Sequence, residues 1–407
     1  MKRIELLAPA GNLEKLKTAF YFGADACYFA GKKYGLRAFA GNFEEDNLKE
    51  SIAYAHSLGK KAYITVNIIA KNVDFNGLKE YILYLQEIGA NAVICADVGV
   101  ISIVREVAPS LAIHVSTQAN ITNKYAAKMF VDMGASRLVL ARELSLTEIK
   151  EIRDFIPEHV EIETFVHGAM CIAYSGRCLL SNYLTNRDAN RGACAQSCRW
   201  EYSITEKSRR GQHLDVQEDE RGTYILNSKD LCMIEHLHQL VEAGVTSFKI
   251  EGRMKSAYYV ANIVNVYRRA IDYLESLDNP NDYKLPSELV GEVAKSSHRH
   301  YSTGFYFDNA GEQNLETSMP IQTSEFVAVV LEKLDENKYL IEQRNKFEAS
   351  SELEILSPGM DFNKRFVATS LTDVDGNDVV VANQVQQQLV LIADVDMSAG
   401  DILRMDV

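Results

Sequence analysis

The chain has 407 residues, 47% hydrophobic and 24% charged, an ordinary globular composition long enough for one large domain and a smaller one. The opening run MKRIELLAPAGNLEKL lacks a signal-peptide pattern, and no apolar run approaches the ~18 residues of a membrane span. A cytoplasmic protein without a membrane partner is therefore expected, and its seven cysteines point to metal or redox chemistry rather than a disulfide framework.

The net charge of −13 is unevenly placed. Residues 285–407 hold 21 acids and 9 bases, whereas residues 1–284 hold 35 and 34. The first part can still meet a polyanion, and the tail should repel one.

In chain order, short β-branched runs alternate with amphipathic helical stretches over the first 280 residues. Strands are expected at IELLAPA (4–10), ACYFAG (26–31), KAYITVN (61–67), AVICADV (92–98), AIHVSTQ (112–118), RLVLAR (137–142), EIETFVH (161–167) and SFKIEG (247–252). Between them, Leu13, Leu16 and Phe20, then Ile52, Ala55 and Leu58, then Leu78, Ile82 and Leu85 recur at helical spacing. Gly23, Gly59, Gly89, Gly134 and Gly244 each follow such a run, where a left-handed C-cap is needed. Eight βα units predict a TIM-type (β/α)8 barrel over residues 1–284, with an open doubly wound sheet as the alternative.

The rhythm breaks between the seventh and eighth strands, over an insertion at about 168–246 that carries cysteines, a polar stretch and a helix expected from Asp230 to Ala243. Residues 285–325 read as a linker after the helix AYYVANIVNVYRRAIDYLESL. Residues 326–407 read as a small all-β barrel or sandwich with a hairpin turn at Asp375-Gly376.

Four cysteines, Cys171, Cys178, Cys194 and Cys198, are spaced C-x6-C-x15-C-x3-C within the insertion. If the flanks are helical, Cys171 and Cys178 share one face and Cys194 and Cys198 are i,i+4 neighbours, so two pairs can make a pocket of four thiolates. Such a set suits a 4Fe–4S cluster or a structural zinc, although the first pair is too wide for a zinc knuckle. Cys232 stands in reserve as a ligand, and Cys27 and Cys95 read as buried small hydrophobes. Arg177, Arg187, Arg191 and Arg199 flank the set, as an anionic thiolate cluster would favour.

The run ETFVHGAMCIAYSGRCLLS (163–181) resembles the signature of the collagenase-like peptidase family U-32. The likeness continues through LAPAG (7–11), HVSTQ (114–118), LARELSL (140–146), NRGACAQSCRWEY (190–202), NSKDL (227–231) and KIEGRMKSAYYVA (249–261), nearly the whole chain. It is strongest to the tRNA-hydroxylating branch. That resemblance implies a barrel holding a 4Fe–4S cluster on Cys171, Cys178, Cys194 and Cys198, and prephenate-dependent conversion of a wobble uridine to 5-hydroxyuridine in tRNA without dioxygen. A peptidase, as the family is named, and a non-catalytic RNA-binding subunit serving a sister subunit are the alternatives. Neither an HExxH nor a GxSxG motif occurs, and although a pair such as Cys171 with His167 could be imagined as nucleophile and base, a cysteine committed to a cluster cannot also attack a peptide bond.

Catalytic groups of a barrel belong at the C-terminal ends of its strands. That nominates Glu143, His167, Lys249 and Glu251 for catalysis, and His114, Gln118, Arg142, Arg253 and Lys255 for binding substrate, the last two at a helix start suited to an anion such as prephenate. Glu163 shares the seventh strand. Lys249 and Glu251 alternate on one strand face and could pair with each other. Satisfied internal hydrogen bonds are the plainer reading of each. For RNA the candidates are Lys207, Arg209 and Arg210, then Lys32, Lys33 and Arg37, with Trp200 and Tyr202 for stacking.

Overall fold

The computed structural model describes residues 3–32, 34–35, 43–171, 173–200, 218–219, 222–223, 228–308 and 320–407. Strands β1 (Glu5–Pro9), β2 (Ala26–Phe29), β3 (Lys61–Val66), β4 (Ala92–Cys95), β5 (Ala112–Val115), β6 (Arg137–Val139) and β7 (Glu161–Ala169) alternate with helices α1 (Leu13–Tyr21), α2 (Glu45–Ser57), α3 (Leu78–Glu87), α4 (Val98–Val107), α5 (Lys124–Asp132) and α6 (Leu146–Phe155). All of these strands pair in parallel with the next. After the insertion, β11 (Ser247–Ile250) pairs with both β7 and β1 and closes the barrel. The eight expected strands are the eight staves, and the closed barrel holds over the open sheet.

Local chemistry explains the elements. Asn12, Asp97 and Ser145 each cap a helix by accepting a backbone N–H, and Glu148 returns the bond to Ser145 in a capping box. The five glycines expected at helix ends all have positive φ, from 66° to 104°. Gly11, in the turn after β1, has another constraint: a Cβ there would lie 2.5 Å from the carbonyl oxygen of Arg253. The close approach of these two backbones holds the loop after β11 against the barrel rim.

Within the insertion lie helix α7 (Leu180–Thr185), a two-residue hairpin of β8 (Glu218–Asp219) and β9 (Gly222–Thr223), strand β10 (Asp230–Cys232) and helix α8 (Leu237–Glu242). The helix expected from Asp230 is thus a strand for its first three residues. β10 runs antiparallel to β7, pairing Cys232 with His167, and satisfies backbone groups that β7 exposes beyond the barrel.

Helix α9 (Ala257–Ser276) follows β11, and then α10 (Ser287–Glu292) and strand β12 (Tyr301–Ser302). β12 pairs with β10, so this part of the expected linker belongs to the barrel sheet. It is anchored by the buried Tyr306, whose hydroxyl donates to the Phe165 carbonyl at 2.6 Å while its own carbonyl accepts from Leu146 N.

The tail is all-β, with strands β13 (Ser324–Asp335), β14 (Lys338–Gln343), β15 (Phe347–Glu348), β16 (Glu352–Leu356), β17 (Arg365–Val367), β18 (Ser370–Asp373), β19 (Val381–Ala382), β20 (Gln388–Ile392) and β21 (Ile402–Asp406). Seven of them make an antiparallel sheet in the order β17-β16-β21-β13-β14-β20-β18, around a core that includes Val327, Tyr339, Ile355 and Leu389. The Asp375-Gly376 turn is present, with Gly376 at φ 89°. Arg404 of β21, fully buried, bonds Glu292 of α10 at 2.7 Å and Asn262 of α9 at 3.0 Å, and so ties the tail to the barrel. No helix among the described residues is long and apolar enough to cross a membrane.

Candidate functional site

The barrel interior is charged at its N-terminal end. Arg137, 1% exposed, meets Glu5, Glu161 at 2.6 Å and Glu163 at 3.0 Å. Lys249 also binds Glu163, at 2.6 Å, and its ammonium lies 4.3 Å from the centre of the Tyr28 ring. Lys249 thus pairs with Glu163, where the sequence had allowed Glu251 as its partner. A carboxylate on the preceding stave, β7, takes the lysine instead, because burial demands a partner inside the barrel.

His114 lies in the same interior, edge-on to Tyr63 with ring centres 4.6 Å apart. Its Nδ1 is buried with no hydrogen-bond partner. Burial first, then Arg137 and Lys249, hold its pKa well below the usual value, so the ring is neutral.

At the C-terminal mouth the cysteine loop is seated on the barrel by polar contacts. Arg142, after β6, donates to the Ala169 carbonyl at 2.8 Å and to Ser175 Oγ at 3.0 Å, and approaches the Cys171 sulfur at 3.8 Å. Its guanidinium also lies 4.8 Å from the Phe165 ring centre. Asn120 donates to the Ser175 carbonyl and accepts from Arg177. Asn67 donates to Gln118, and Gly176 packs on the Gln118 side chain. Arg253, 5% exposed, reaches Thr65 Oγ1 at 3.4 Å on the same rim. Glu143 is half-buried beside Arg142, and burial raises its carboxyl above the usual range.

His167 was expected at this mouth and is elsewhere. β7 carries an extra residue, Val166, opposite the step from Lys249 to Ile250, and a bulge breaks the alternation of a strand. The His167 ring packs against Tyr259 and Tyr267 of α9 and against Tyr301, with Nδ1 3.3 Å from Tyr267 Oη and Nε2 3.4 Å from Tyr301 Oη. Burial pushes its pKa down to about 3. Both nitrogens thus face tyrosine hydroxyls, and the imagined pairing with Cys171 does not occur. Glu251, half-buried at the end of β11, donates its N–H to the His167 carbonyl at 2.9 Å.

The cysteines do not sit on two helical pairs. Gly176, Asn186, Gly192 and Gln196 all have positive φ, from 57° to 88°, and cut the loop into short turns around α7. Ser181, buried in α7, ties those turns together by donating to the Arg187 carbonyl at 2.7 Å and accepting from Ala195 N at 2.9 Å. The thiols nevertheless share one neighbourhood. Burial raises the Cys198 thiol, Arg199 opposes this, and Cys171, Cys194 and Cys178 each raise it further. The Cys194 sulfur accepts from Gln196 N at 3.3 Å.

Cys232 lies apart from them, 3.9 Å from Tyr267 Oη, and burial pushes its thiol up to about 11. Cys27 and Cys95 are fully buried, in the barrel core.

Among the described residues no three cysteine, histidine or carboxylate side chains close on one point as a single ion requires. Four Zn–S bonds of about 2.3 Å bring the sulfurs to within about 3.8 Å of one another. A four-iron cluster binds each thiolate to its own iron and spaces them more widely. Four soft thiols in one loop, with an amide N–H and the Arg142 guanidinium turned to sulfur, are donors of the kind that hold a four-iron cluster or a zinc ion.

A second cluster beside the loop was not legible in the sequence. Asp230 of β10 accepts three bonds from Arg299, from its backbone N, its Nε and its Nη2. Burial alone would raise the Asp230 carboxyl, but Arg299 holds it below the usual range. Arg199 and Lys255 are near enough for Asp230 to raise both pKa values, against burial that lowers them. Lys255 Nζ donates to the Ser297 carbonyl at 2.8 Å. The partners are 69 residues apart, so no local pattern announces them. Lys207, Arg209, Arg210, Lys33, Arg37 and Tyr202 lie outside the described residues. Lys32 pairs with Glu44, and Trp200 is 42% exposed.

A family model described as Peptidase family U32 matches residues 11–316, and one described as Peptidase family U32 C-terminal domain matches residues 322–404. The chain is 39% identical over 407 residues to the tRNA hydroxylation protein P1 of Bacillus subtilis (strain 168), covering 99% of this chain and 95% of that one. It is 38% identical over 424 residues to the tRNA hydroxylation protein P of Escherichia coli (strain K12), covering 94% and 92%. Over 312 residues it is 37% identical to the 23S rRNA 5-hydroxycytidine C2501 synthase of Escherichia coli (strain K12), covering 76% of this chain and 46% of that one.

Proposed function

Because the chain belongs to peptidase family U32, whose relatives include proteins named for RNA hydroxylation, we propose that it is an RNA-modifying enzyme that hydroxylates the wobble uridine of tRNA to 5-hydroxyuridine. The reaction uses prephenate and no dioxygen, with a 4Fe–4S cluster on Cys171, Cys178, Cys194 and Cys198. The observation that carries this reading is the seating of a four-thiol loop across the C-terminal mouth of the barrel by Arg142. That mouth is where barrel enzymes do their chemistry.

Exchanging a C–H for a C–OH adds an oxygen atom and removes two electrons from the base, so the reaction needs an oxygen donor and a two-electron acceptor alongside the base, and the cluster, when bound, would supply one-electron chemistry for passing those electrons on. The chain's own groups have separate tasks. Arg253 and Lys255 meet the carboxylates of the small anion, Gln118 and Arg142 hold the loop over the rim, and Glu143, with its raised pKa, moves a proton at the mouth. A peptidase needs an activated nucleophile, and the histidine nearest in sequence to Cys171 is turned into a cage of tyrosines.

The test is mass spectrometry of total tRNA nucleosides from a deletion strain, with and without the restored gene, grown without oxygen and in a background unable to form prephenate. Loss of 5-hydroxyuridine on deletion, its return on complementation and its absence without prephenate are expected. Unchanged 5-hydroxyuridine on deletion refutes the assignment, and peptide release by the purified chain favours the peptidase.

A further inference from the structure

We propose that the outer face of the cysteine loop is a docking platform for unpaired RNA bases, which stack on Tyr174, Tyr183 and Trp200 while Arg177 and Arg187 meet the phosphates. The proposal rests on the RNA reading above and adds the surface that reading lacks.

Five large apolar side chains are exposed within thirty residues of this loop: Tyr174 at 47%, Leu179 at 64%, Tyr183 at 87%, Leu184 at 42% and Trp200 at 42%. A concentration of exposed apolar surface on one small unit marks an interaction site. Charge selects the occupant. Residues 171–200 contain four arginines and one aspartate in a chain of net charge −13, so the loop is a cationic segment of an acidic protein, and it favours a polyanion.

Aromatic rings interleaved with arginines suit a nucleic acid whose bases present their faces, which a loop or single strand does and a paired stem does not. The platform is also rigid. Ser181 locks α7 to the turn that carries Cys194, and Arg177 is pinned to Asn120 at the barrel rim at 2.6 Å. A base stacked there is held beside the thiols and the mouth, where a neighbouring nucleotide can enter.

Trp200 is the only tryptophan in the chain, so its emission reports directly on this face. The probe is an anticodon stem-loop hairpin with uridine at the wobble position, added to the anaerobically purified full chain, with a paired duplex of equal charge for comparison. The hairpin should quench Trp200 and the duplex should not. Tyr183→Ala should weaken hairpin binding roughly tenfold, and Arg177→Gln should lower the salt slope by about 0.7. Tyr183→Ala, which removes a side chain 87% exposed, should leave iron content unchanged. Tyr125→Ala, on the exposed flank of α5, is the control and should bind as wild type.

Hairpin binding that ignores both loop variants and leaves Trp200 unquenched overturns the platform and leaves the hydroxylation reading standing. A wild-type chain that binds no tRNA, with tRNA nucleosides unchanged on deletion, overturns both. Loop variants that instead convert an oligomer to a monomer make this face a protein interface and overturn the proposal.

Discussion

Arg142 lies 3.8 Å from the sulfur of Cys171 while the same guanidinium bonds the end of β7 and the turn after it. One cation therefore joins the barrel scaffold to the first of the four thiols. Charge-assisted bonds of this kind contribute about 1.5–3 kcal/mol. Arg142→Ala should loosen the loop without melting the barrel. The expected result is faster proteolytic cleavage within residues 171–200, reduced iron and acid-labile sulfide per chain, and a barrel melting temperature within a few degrees of wild type. Arg142→Lys should restore charge but not the forked contacts, and so recover only part of the iron. Full iron in Arg142→Ala would refute the role.

The ligand set can be tested one thiol at a time. Cys198 lies near Cys171, Cys178 and Cys194, whereas Cys232 faces Tyr267 behind β7. Serine at Cys171, Cys178, Cys194 or Cys198 should each abolish about four irons per chain and the brown colour, and serine at Cys27, Cys95 or Cys232 should leave both. Stoichiometric zinc in place of iron, or bleaching by Cys232→Ser with colour kept in Cys198→Ser, contradicts the assignment.

The barrel was legible because its information is local. The staves are short apolar runs, the helices repeat every three or four residues, and α1, α2, α3, α5 and α8 each end on a glycine that reaches positive φ. What escaped the sequence depends on pairings that no local pattern records. The extra residue Val166 turns His167 out of the mouth, and the cysteine spacing could not show that Gln196 and Asn186 break the helices it assumed. Lys249 found Glu163 on the preceding stave, and β12 came out of an apparent linker because β10 offered it an edge.

Buried neutral histidines make stability depend on pH. His167 has a folded pKa of about 3 against 6.5, and His114 is also shifted well below 6.5. Below pH 6.5 the unfolded chain binds protons that the folded chain refuses, so this contribution is complete above 6.5 and is lost as pH falls towards 3. His167 alone should remove about 2–3 kcal/mol by pH 4.5. Urea midpoints should fall steadily from pH 7.5 to 5, above the range where most carboxylates titrate. His167→Asn should start less stable at pH 7.5, because the ring packed among three tyrosines is lost while Tyr267 and Tyr301 keep only their backbone partners, and decline less steeply. Equal slopes in the two proteins would count against the histidine.

Glu163 holds two cations inside the barrel, Arg137 at 3.0 Å and Lys249 at 2.6 Å. Glu163→Gln leaves the lysine buried without a counter-charge, which costs about 3–5 kcal/mol. Adding Lys249→Met removes the stranded charge and should recover part of that loss. Denaturant midpoints of the two variants decide the matter. No recovery in the double variant means that the two residues do not act as a pair.

The last prediction concerns the tail, which has its own hydrophobic core yet is joined to the barrel by a buried ionic knot. Arg404 is fully buried and binds Glu292, Glu354, Asn262 and Asn363, and Lys295 meets both glutamates at 2.6 Å. Two cores usually unfold as two units unless their interface is strong enough to couple them. Arg404→Ala leaves Glu292 with Lys295 alone and Glu354 with Lys295 and the half-exposed Arg365, and breaking such a network costs about 3–5 kcal/mol. Calorimetry should therefore change from one cooperative transition in wild type to two in the variant, with the tail released first, because the knot is spent on docking and the Val327–Leu389 core remains whole. The knot also grips α9 at Asn262, about one and a half turns after the helix begins beside Arg253 and Lys255. Releasing it should loosen that helix start and weaken binding of a small dianion more than binding of RNA. A single unshifted transition in Arg404→Ala would show that the two units are coupled elsewhere.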